Sequence, residues 1–198
     1  MEEILHLAKN ALRVESEASA QLIDQLDINF CKAIRLILNC KGKVVVTGVG
    51  KSGHIGKKIT ASLSSLGTPS FFVHSTEGVH GDLGMISKED IVIEISNSGE
   101  TGEVIALHHT LTKIGVKRIA ITRNPDSTLA KQCDVAICYS YETEADHLGV
   151  APTTSALLTL MIGDAMAITL SHLKQFDKRD FALYHPGGNL GEQLTKEN

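Results

Sequence analysis

The chain opens on helical spacing. Apolar residues fall at Leu5, Ala8 and Leu12, then at Leu22, Ile23, Leu26, Phe30, Ala33, Ile34, Ile37 and Leu38, with charges between them. That period predicts two helices over residues 2–40. After Gly42 the pattern changes. Lys43-Val44-Val45-Val46-Thr47 is a β-branched run without alternation, as expected of a strand covered on both faces. Similar short runs recur at 68–75, 90–98, 116–124 and 134–140, and helical stretches at 54–66, 102–114 and 127–132 separate most of them. Strands alternating with helices predict a doubly wound α/β sandwich of three layers, with a five-stranded parallel sheet at its centre. Pro152 pre-sets the first turn of a further helix reaching about Lys174, and 177–191 reads as a short helix followed by a Gly-rich turn. No long linker, low-complexity tract or internal repeat interrupts this order. One domain over 1–198 is expected, with a helical N-terminal segment at 1–41.

Composition narrows the class without changing that picture. The 42% apolar and 21% charged residues are ordinary for a soluble globular protein. Nineteen basic residues against 23 acidic ones, with no dense Lys/Arg stripe, argue against a nucleic-acid partner. The N-terminus lacks a basic region followed by an apolar one, so no secretory signal is expected. The longest apolar stretch, 155–170, is shorter than a membrane span and carries Asp164 at its centre, which reads as a buried helix. Cys31, Cys40, Cys133 and Cys138 have no CxxC spacing. Reduced thiols and a cytoplasmic location are the expectation.

In open parallel sheets ligands bind at the carboxyl ends of the strands, near the point where strand order reverses. Three polar strand ends therefore hold the interest: Gly48–Gly53, Ser96–Thr101 and Tyr139–Asp146. The first, GVGKSG, is two motifs at once and satisfies neither. A phosphate loop of the Walker type needs glycine five positions before Gly50, where Val45 stands. A dinucleotide site needs an acid at the end of the second strand, where His74 and Ser75 stand. What remains is a glycine turn entering a helix, at Gly50, Lys51 and Ser52, with backbone N–H groups and one lysine suited to a small anion. The second strand end, ISNSGET, supplies the hydroxyls of Ser96, Ser98 and Thr101, together with Asn97 and Gly99, just before another helix. Capping explains one such hydroxyl; three around a glycine suit a compact dianion such as a phosphate monoester.

SNSGET on one strand end and GVGKSG on an earlier one resemble the sugar isomerase (SIS) domain, a phosphosugar-binding module. EGVHGDLG at 77–84, LGVAPTTS at 148–155 and FALYHPGGNLG at 181–191 are similar to the D-arabinose-5-phosphate isomerase branch of that family. The resemblance covers nearly the whole chain. It implies aldose–ketose isomerisation of arabinose 5-phosphate and ribulose 5-phosphate through an enediol, feeding 3-deoxy-D-manno-octulosonate (Kdo) synthesis for lipopolysaccharide or capsule. Most members carry a C-terminal pair of CBS modules, and this sequence stops at Asn198 without them. A single-domain form is therefore expected, in which a downstream nucleotide sugar such as CMP-Kdo would inhibit at the active site itself.

The resemblance implies catalytic positions at Lys51, His80, Glu103, Glu144 and His185. Such a reaction needs a base poised near neutrality and a group to protonate the carbonyl or ring oxygen, but no redox cofactor and no metal. Glu144 is the first choice for the base, its pKa raised by closure of the pocket, and Glu103 the second. Glu103 sits in a first helical turn, where the dipole favours its anion; it would orient Lys51 or the sugar hydroxyls. By the resemblance, His185 would protonate the ring oxygen or shuttle protons between carbonyl and hydroxyl, and His80 would complete the pocket, from its own or a neighbouring subunit. Nine histidines include no HxxxH or HExxH pair, and no metal site is expected. The apolar N-terminal and 155–173 helices offer surface for pairing, and the resemblance implies a homotetramer with shared active sites. Two alternatives stand beside this reading: a non-catalytic sugar-phosphate regulator, and an isomerase of another sugar phosphate.

Overall fold

The computed structural model describes residues 1–186. Five parallel strands form one sheet: β1 (Val44–Gly48), β2 (Ser70–His74), β3 (Ile91–Ile95), β4 (Lys117–Thr122) and β5 (Val135–Cys138), in the order β2-β1-β3-β4-β5. All four strand pairings are parallel. The order reverses at β1, so the switch point lies between the carboxyl ends of β1 and β3, where a crevice is expected.

The strands are continuous apolar runs because both faces are covered. Val44, Val46, Ile91, Ile93, Ile95, Ile119, Ile121 and Ile137 belong to one core with helices α1 (Glu2–Gln25), α2 (Ile28–Leu38), α3 (Gly50–Ser65) and α8 (Thr154–Leu173). Val45, Val73 and Val92 face the opposite way, onto Leu107 and Leu111. Ala120 joins Val104 and Leu129 there. This second layer holds α4 (Ser75–Gly78), α5 (Gly102–Ile105), α6 (His108–Ile114) and α7 (Thr128–Gln132). The period-2 alternation of a strand thus sorts one run of apolar residues into two cores.

Some boundaries move from the expected ones. The helix expected at 54–66 begins at Gly50, so the GKS tripeptide lies inside its first turn. The one at 102–114 is two pieces, α5 and α6. The 152–174 helix starts at Thr154, because Pro152 lies two residues before the first helical position. Helix α8 runs 20 residues and is long and apolar enough to cross a membrane, longer than the stretch read from sequence. It is nonetheless a core helix, with Leu158, Ile162, Met166 and Leu170 buried against α1, α2 and α3. Asp164 on its flank accepts two hydrogen bonds from Lys58, at 2.5 and 2.6 Å, and one from Ser62. The short helix expected after Asp177 is α9 (Lys178–Tyr184), opened by an Asp177–Asp180 capping box. The Gly-rich turn after it lies outside the described residues.

Candidate functional site

The glycine turn after β1 delivers the N-terminus of α3 to the switch point. Gly50 has φ +57°, and no atom lies within 4 Å of where its Cβ would be. Backbone conformation, not space, therefore calls for glycine there. The N-cap residue Val49 makes no side-chain cap, so the first N–H groups of α3 keep their hydrogen-bonding capacity and positive dipole end. Lys51 projects from this turn, exposed, and no described carboxylate pairs with it. Lys51, Ser52 and Ile55 form one wall of a cleft, and Asn97, Tyr139, Pro152, Ser155, Ala156 and Thr159 form the rest. Residues from the ends of β1, β3 and β5 thus meet α8 in one crevice. Its enclosed volume is about 30 Å³, room for a couple of waters.

The loop after β3 divides its expected roles. Ser96 is buried; its hydroxyl accepts from Gly99 N–H at 3.0 Å and pairs with Thr101 Oγ1 at 2.7 Å. In the free protein it folds the loop, its hydroxyl engaged by Gly99 and Thr101. Gly99 is equally structural: its φ is +70°, and a Cβ would lie 2.1 Å from Ser127 Oγ. Thr101 is the N-cap residue of α5, without a side-chain cap bond. Ser98 is exposed, its hydroxyl accepting from Glu100 N–H. Asn97 is the member of this loop that lines the cleft. Its amide donates to Tyr141 Oη at 2.9 Å and accepts from Tyr139 Oη at 3.0 Å.

Those tyrosines lead to Glu144. Tyr141 Oη donates to Glu144 Oε1 at 2.8 Å, while Oε2 accepts from Thr153 N–H at 2.9 Å, Ser155 N–H at 3.1 Å and Thr153 Oγ1 at 3.2 Å. Glu144 therefore caps α8 from a neighbouring loop. Burial opposes its charge, but the Ser155, Thr153 and Tyr141 donors outweigh it and hold its carboxyl below the usual glutamate range. The expectation of a raised pKa is overturned: enclosure here comes with hydrogen-bond donors aimed at the anion. Ser155 touches both sets, holding Glu144 with its N–H and facing Lys51 across the cleft.

The remaining expected residues are dispersed. Glu103 is exposed in the first turn of α5, at the same end of the sheet. His80 is exposed in the loop after β2, also at the carboxyl end. His185 lies elsewhere. Its ring stacks on Phe181, with centroids 3.8 Å apart, and Nε2 pairs with Ser65 Oγ at 2.8 Å. Ser65 ends the helix that Lys51 begins, 14 residues and about 20 Å along the axis. Within one protomer His185 is thus separated from Lys51 by the length of α3.

Sequence reasoning did not single out Tyr139, Tyr141, Arg123 or Ser155. Arg123 lies over the Tyr141 ring at 4.3 Å and donates to the Tyr141 carbonyl at 3.0 Å, bracing the tyrosine that holds Glu144. The signal in the sequence was two tyrosines two apart just past a strand, which puts both on one side of the chain.

A family model described as the SIS domain matches residues 37–169, about two thirds of the chain. The chain is 47% identical over 97% of its length to "Arabinose 5-phosphate isomerase KdsD" of Pseudomonas aeruginosa, and 50% identical over 94% to the protein of that name from Escherichia coli K12. It spans 59% and 57% of those two relatives' own lengths. Its fold superposes with a TM-score of 0.91 on Escherichia coli CFT073 c3406 in complex with arabinose 5-phosphate, at 48% identity, covering 93% of this chain and 98% of that one. With its family segment running from the end of α2 through most of α8, and its cleft at the β1/β3 switch point, this chain belongs to the SIS domain family.

Proposed function

We propose that this chain interconverts D-arabinose 5-phosphate and D-ribulose 5-phosphate through an enediol. The observation that carries the reading is the meeting of Lys51, the uncapped N-terminus of α3 and Asn97 in one cleft at the switch point. An ammonium and a helix N-terminus together suit a phosphate dianion. Support from outside the chain comes from relatives called arabinose 5-phosphate isomerases and from a similar protein seen with arabinose 5-phosphate bound.

Isomerisation moves a proton between adjacent carbons, and a carboxylate within reach of both serves as the base. Glu144 has its anion fixed by four donors, which suits holding the α8 N-terminus and the Asn97–tyrosine chain in place. Glu103, exposed at the same rim, is the carboxylate we assign to proton transfer. His80 stands on that rim to serve the carbonyl or ring oxygen. A cleft floor of about 30 Å³ is far smaller than the ~300 Å³ of a typical ligand pocket, so the sugar lies in the open mouth and needs a further wall. A second copy supplying that wall, and His185 with it, accounts for the distance between His185 and Lys51. The exposed Ile4, Leu5, Leu12 and Ile23 of α1 support such assembly, as a tetramer built from dimers. A cytoplasmic place in Kdo formation, with inhibition by CMP-Kdo at the cleft, belongs to the same proposal.

The test is incubation with arabinose 5-phosphate in heavy water, following ribulose 5-phosphate and deuterium at the carbon that exchanges. Product with deuterium uptake is expected. Lys51→Met should raise KM by about 10- to 100-fold, from one charged hydrogen bond of about 1.5–3 kcal/mol. No conversion by the intact chain, with arabinose 5-phosphate bound, would leave a sugar-phosphate-binding protein instead.

A further inference from the structure

A second polar cluster lies on the far face of the sheet from α3 and α8, away from the cleft. Glu94, on β3 beside Val92, is completely buried in an otherwise apolar strand. His108 Nε2, at the start of α6, meets Glu94 Oε2 at 2.8 Å. Cys133 Sγ, just after α7, donates to Glu94 Oε1 at 3.4 Å. The three ligand-capable atoms all lie within 4.8 Å of one another. On its other side the His108 ring meets Gln132 Oε1 through Nδ1. The isomerase chemistry uses none of these groups.

We propose that Glu94, His108 and Cys133 form a binding site for one divalent metal ion of the zinc type, tying β3 to α6 and α7. Three arguments support it. The first is geometric. A tetrahedral ion holding nitrogen at about 2.0 Å, sulfur at about 2.3 Å and oxygen at about 2.1 Å separates its ligands by roughly 3.3–3.7 Å. Here His108 Nε2 lies 2.8 Å from one Glu94 oxygen and Cys133 Sγ 3.4 Å from the other, and one ligand atom of each residue lies within 4.8 Å of the other two, so a single carboxylate oxygen can join both through small side-chain shifts with no change of fold. Imidazole, thiolate and one carboxylate are also the donor set that zinc prefers over calcium or magnesium.

The second argument is electrostatic. With oxygens at both ring nitrogens, the surroundings of His108 favour its protonated form, and the Cys133 thiol carries its own proton. Both protons point at one buried carboxylate, the position a dication would take. Entry of M²⁺ with release of the Nε2 and Sγ protons leaves the net charge of the pocket unchanged. The Arg118 guanidinium, which donates to the Gln132 carbonyl at 2.5 Å, is therefore no more opposed to the bound state than to the free one. Burial, with the Glu94 charge, pushes the Cys133 thiol up. For His108 burial works against protonation, but Glu94 outweighs it and its pKa is raised. Both shifts favour the protonated forms that an entering ion would displace.

The third argument is the outer shell. A ligating histidine ordinarily gives its other N–H to an oxygen, which fixes the tautomer, and Gln132 Oε1 stands at that place. Cys133 is half-buried and Gln132 exposed, so an ion and a fourth water ligand have a route in from the α7 side.

The test uses the whole chain, freed of metal by chelator and titrated with Co²⁺ as a spectroscopic probe and with Zn²⁺. One Co²⁺ per chain is expected, with a near-ultraviolet thiolate-to-cobalt absorption band and release of protons in weakly buffered solution. The band should vanish in Cys133→Ala and Glu94→Gln and persist in Cys31→Ala. Zn²⁺ should also protect Cys133, but not the exposed Cys31, from alkylation in the wild-type protein, read by mass spectrometry; this needs no variant to fold. Absence of the band, a band that survives Cys133→Ala, or equal alkylation with and without Zn²⁺ would reduce the cluster to a buried ion pair. None of these readouts depends on isomerase activity, so failure here and failure of the catalytic reading are separable.

Discussion

Replacing Glu144 with glutamine separates two jobs that one carboxylate can do. The carboxylate accepts four hydrogen bonds, from Tyr141, Thr153 N–H, Thr153 Oγ1 and Ser155 N–H. Hydrogen bonds to a charged group contribute about 1.5–3 kcal/mol and neutral ones about 0.5–1.5 kcal/mol. Glutamine keeps the oxygen facing Thr153 and Ser155 but loses the charge, and it turns an N–H₂ toward the Tyr141 hydroxyl. A loss of about 2 kcal/mol follows, or roughly 4–8 °C in Tm for a chain of this size. The sign with pH is fixed by the direction of the shift. A carboxyl held below its unfolded value contributes stability that is fully present above the unfolded pKa, 4.5 here, and is lost as pH falls through the folded one. Urea unfolding of both proteins at one fixed concentration, from pH 7 down to pH 3.5, should show the gap narrowing on the acid side. On the catalytic side kcat should fall less than tenfold if Glu144 only positions α8. Unchanged stability at pH 7 together with a 10²- to 10⁴-fold loss of kcat, the size expected for a missing general base, would refute the assignment and restore Glu144 as the proton acceptor.

Two further outcomes test the rest of the site. Gly99→Ala puts a Cβ into the left-handed region and 2.1 Å from Ser127 Oγ; strain and overpacking should cost about 2–5 kcal/mol, read by thermal unfolding, with the 96–101 loop displaced and KM raised. Glu103→Gln and His185→Ala should each be nearly inactive alone. If His185 serves the cleft of another copy, refolding the two together should recover activity through mixed assemblies, whereas no recovery would confine each site to one protomer.

Much of this architecture was readable because the determining interactions are local. Val44–Thr47 and Ile91–Ile95 are unbroken or nearly unbroken apolar runs, and a strand covered on both faces needs little else to declare itself. The same holds for the turn at Gly50 and for the placement of the polar strand ends at one edge of the sheet, which follows from all strands being parallel. The break between α5 and α6 was not readable, since Val104, Leu107, His108 and Leu111 keep helical spacing straight through it.

What the chain's order of residues left open concerns direction and distance. Ser96 and Ser98 look equivalent on the page, yet one hydroxyl is folded into its loop and the other is exposed. The charge state of Glu144 depends on the amides of a helix that begins ten residues later, and electrostatics responds to where donors point rather than to spacing. His185 was named from its loop, but its place against Ser65 follows from how α9 packs on α3. Glu94, His108 and Cys133, separated by 14 and 25 positions, share no motif, and only the stacking of α6 and α7 on β3 makes them neighbours. Patterned hydrophobicity specifies the layers, because burial is summed along a face. Sites are specified by a few vectors between residues far apart in sequence, and those exist only after the layers have packed.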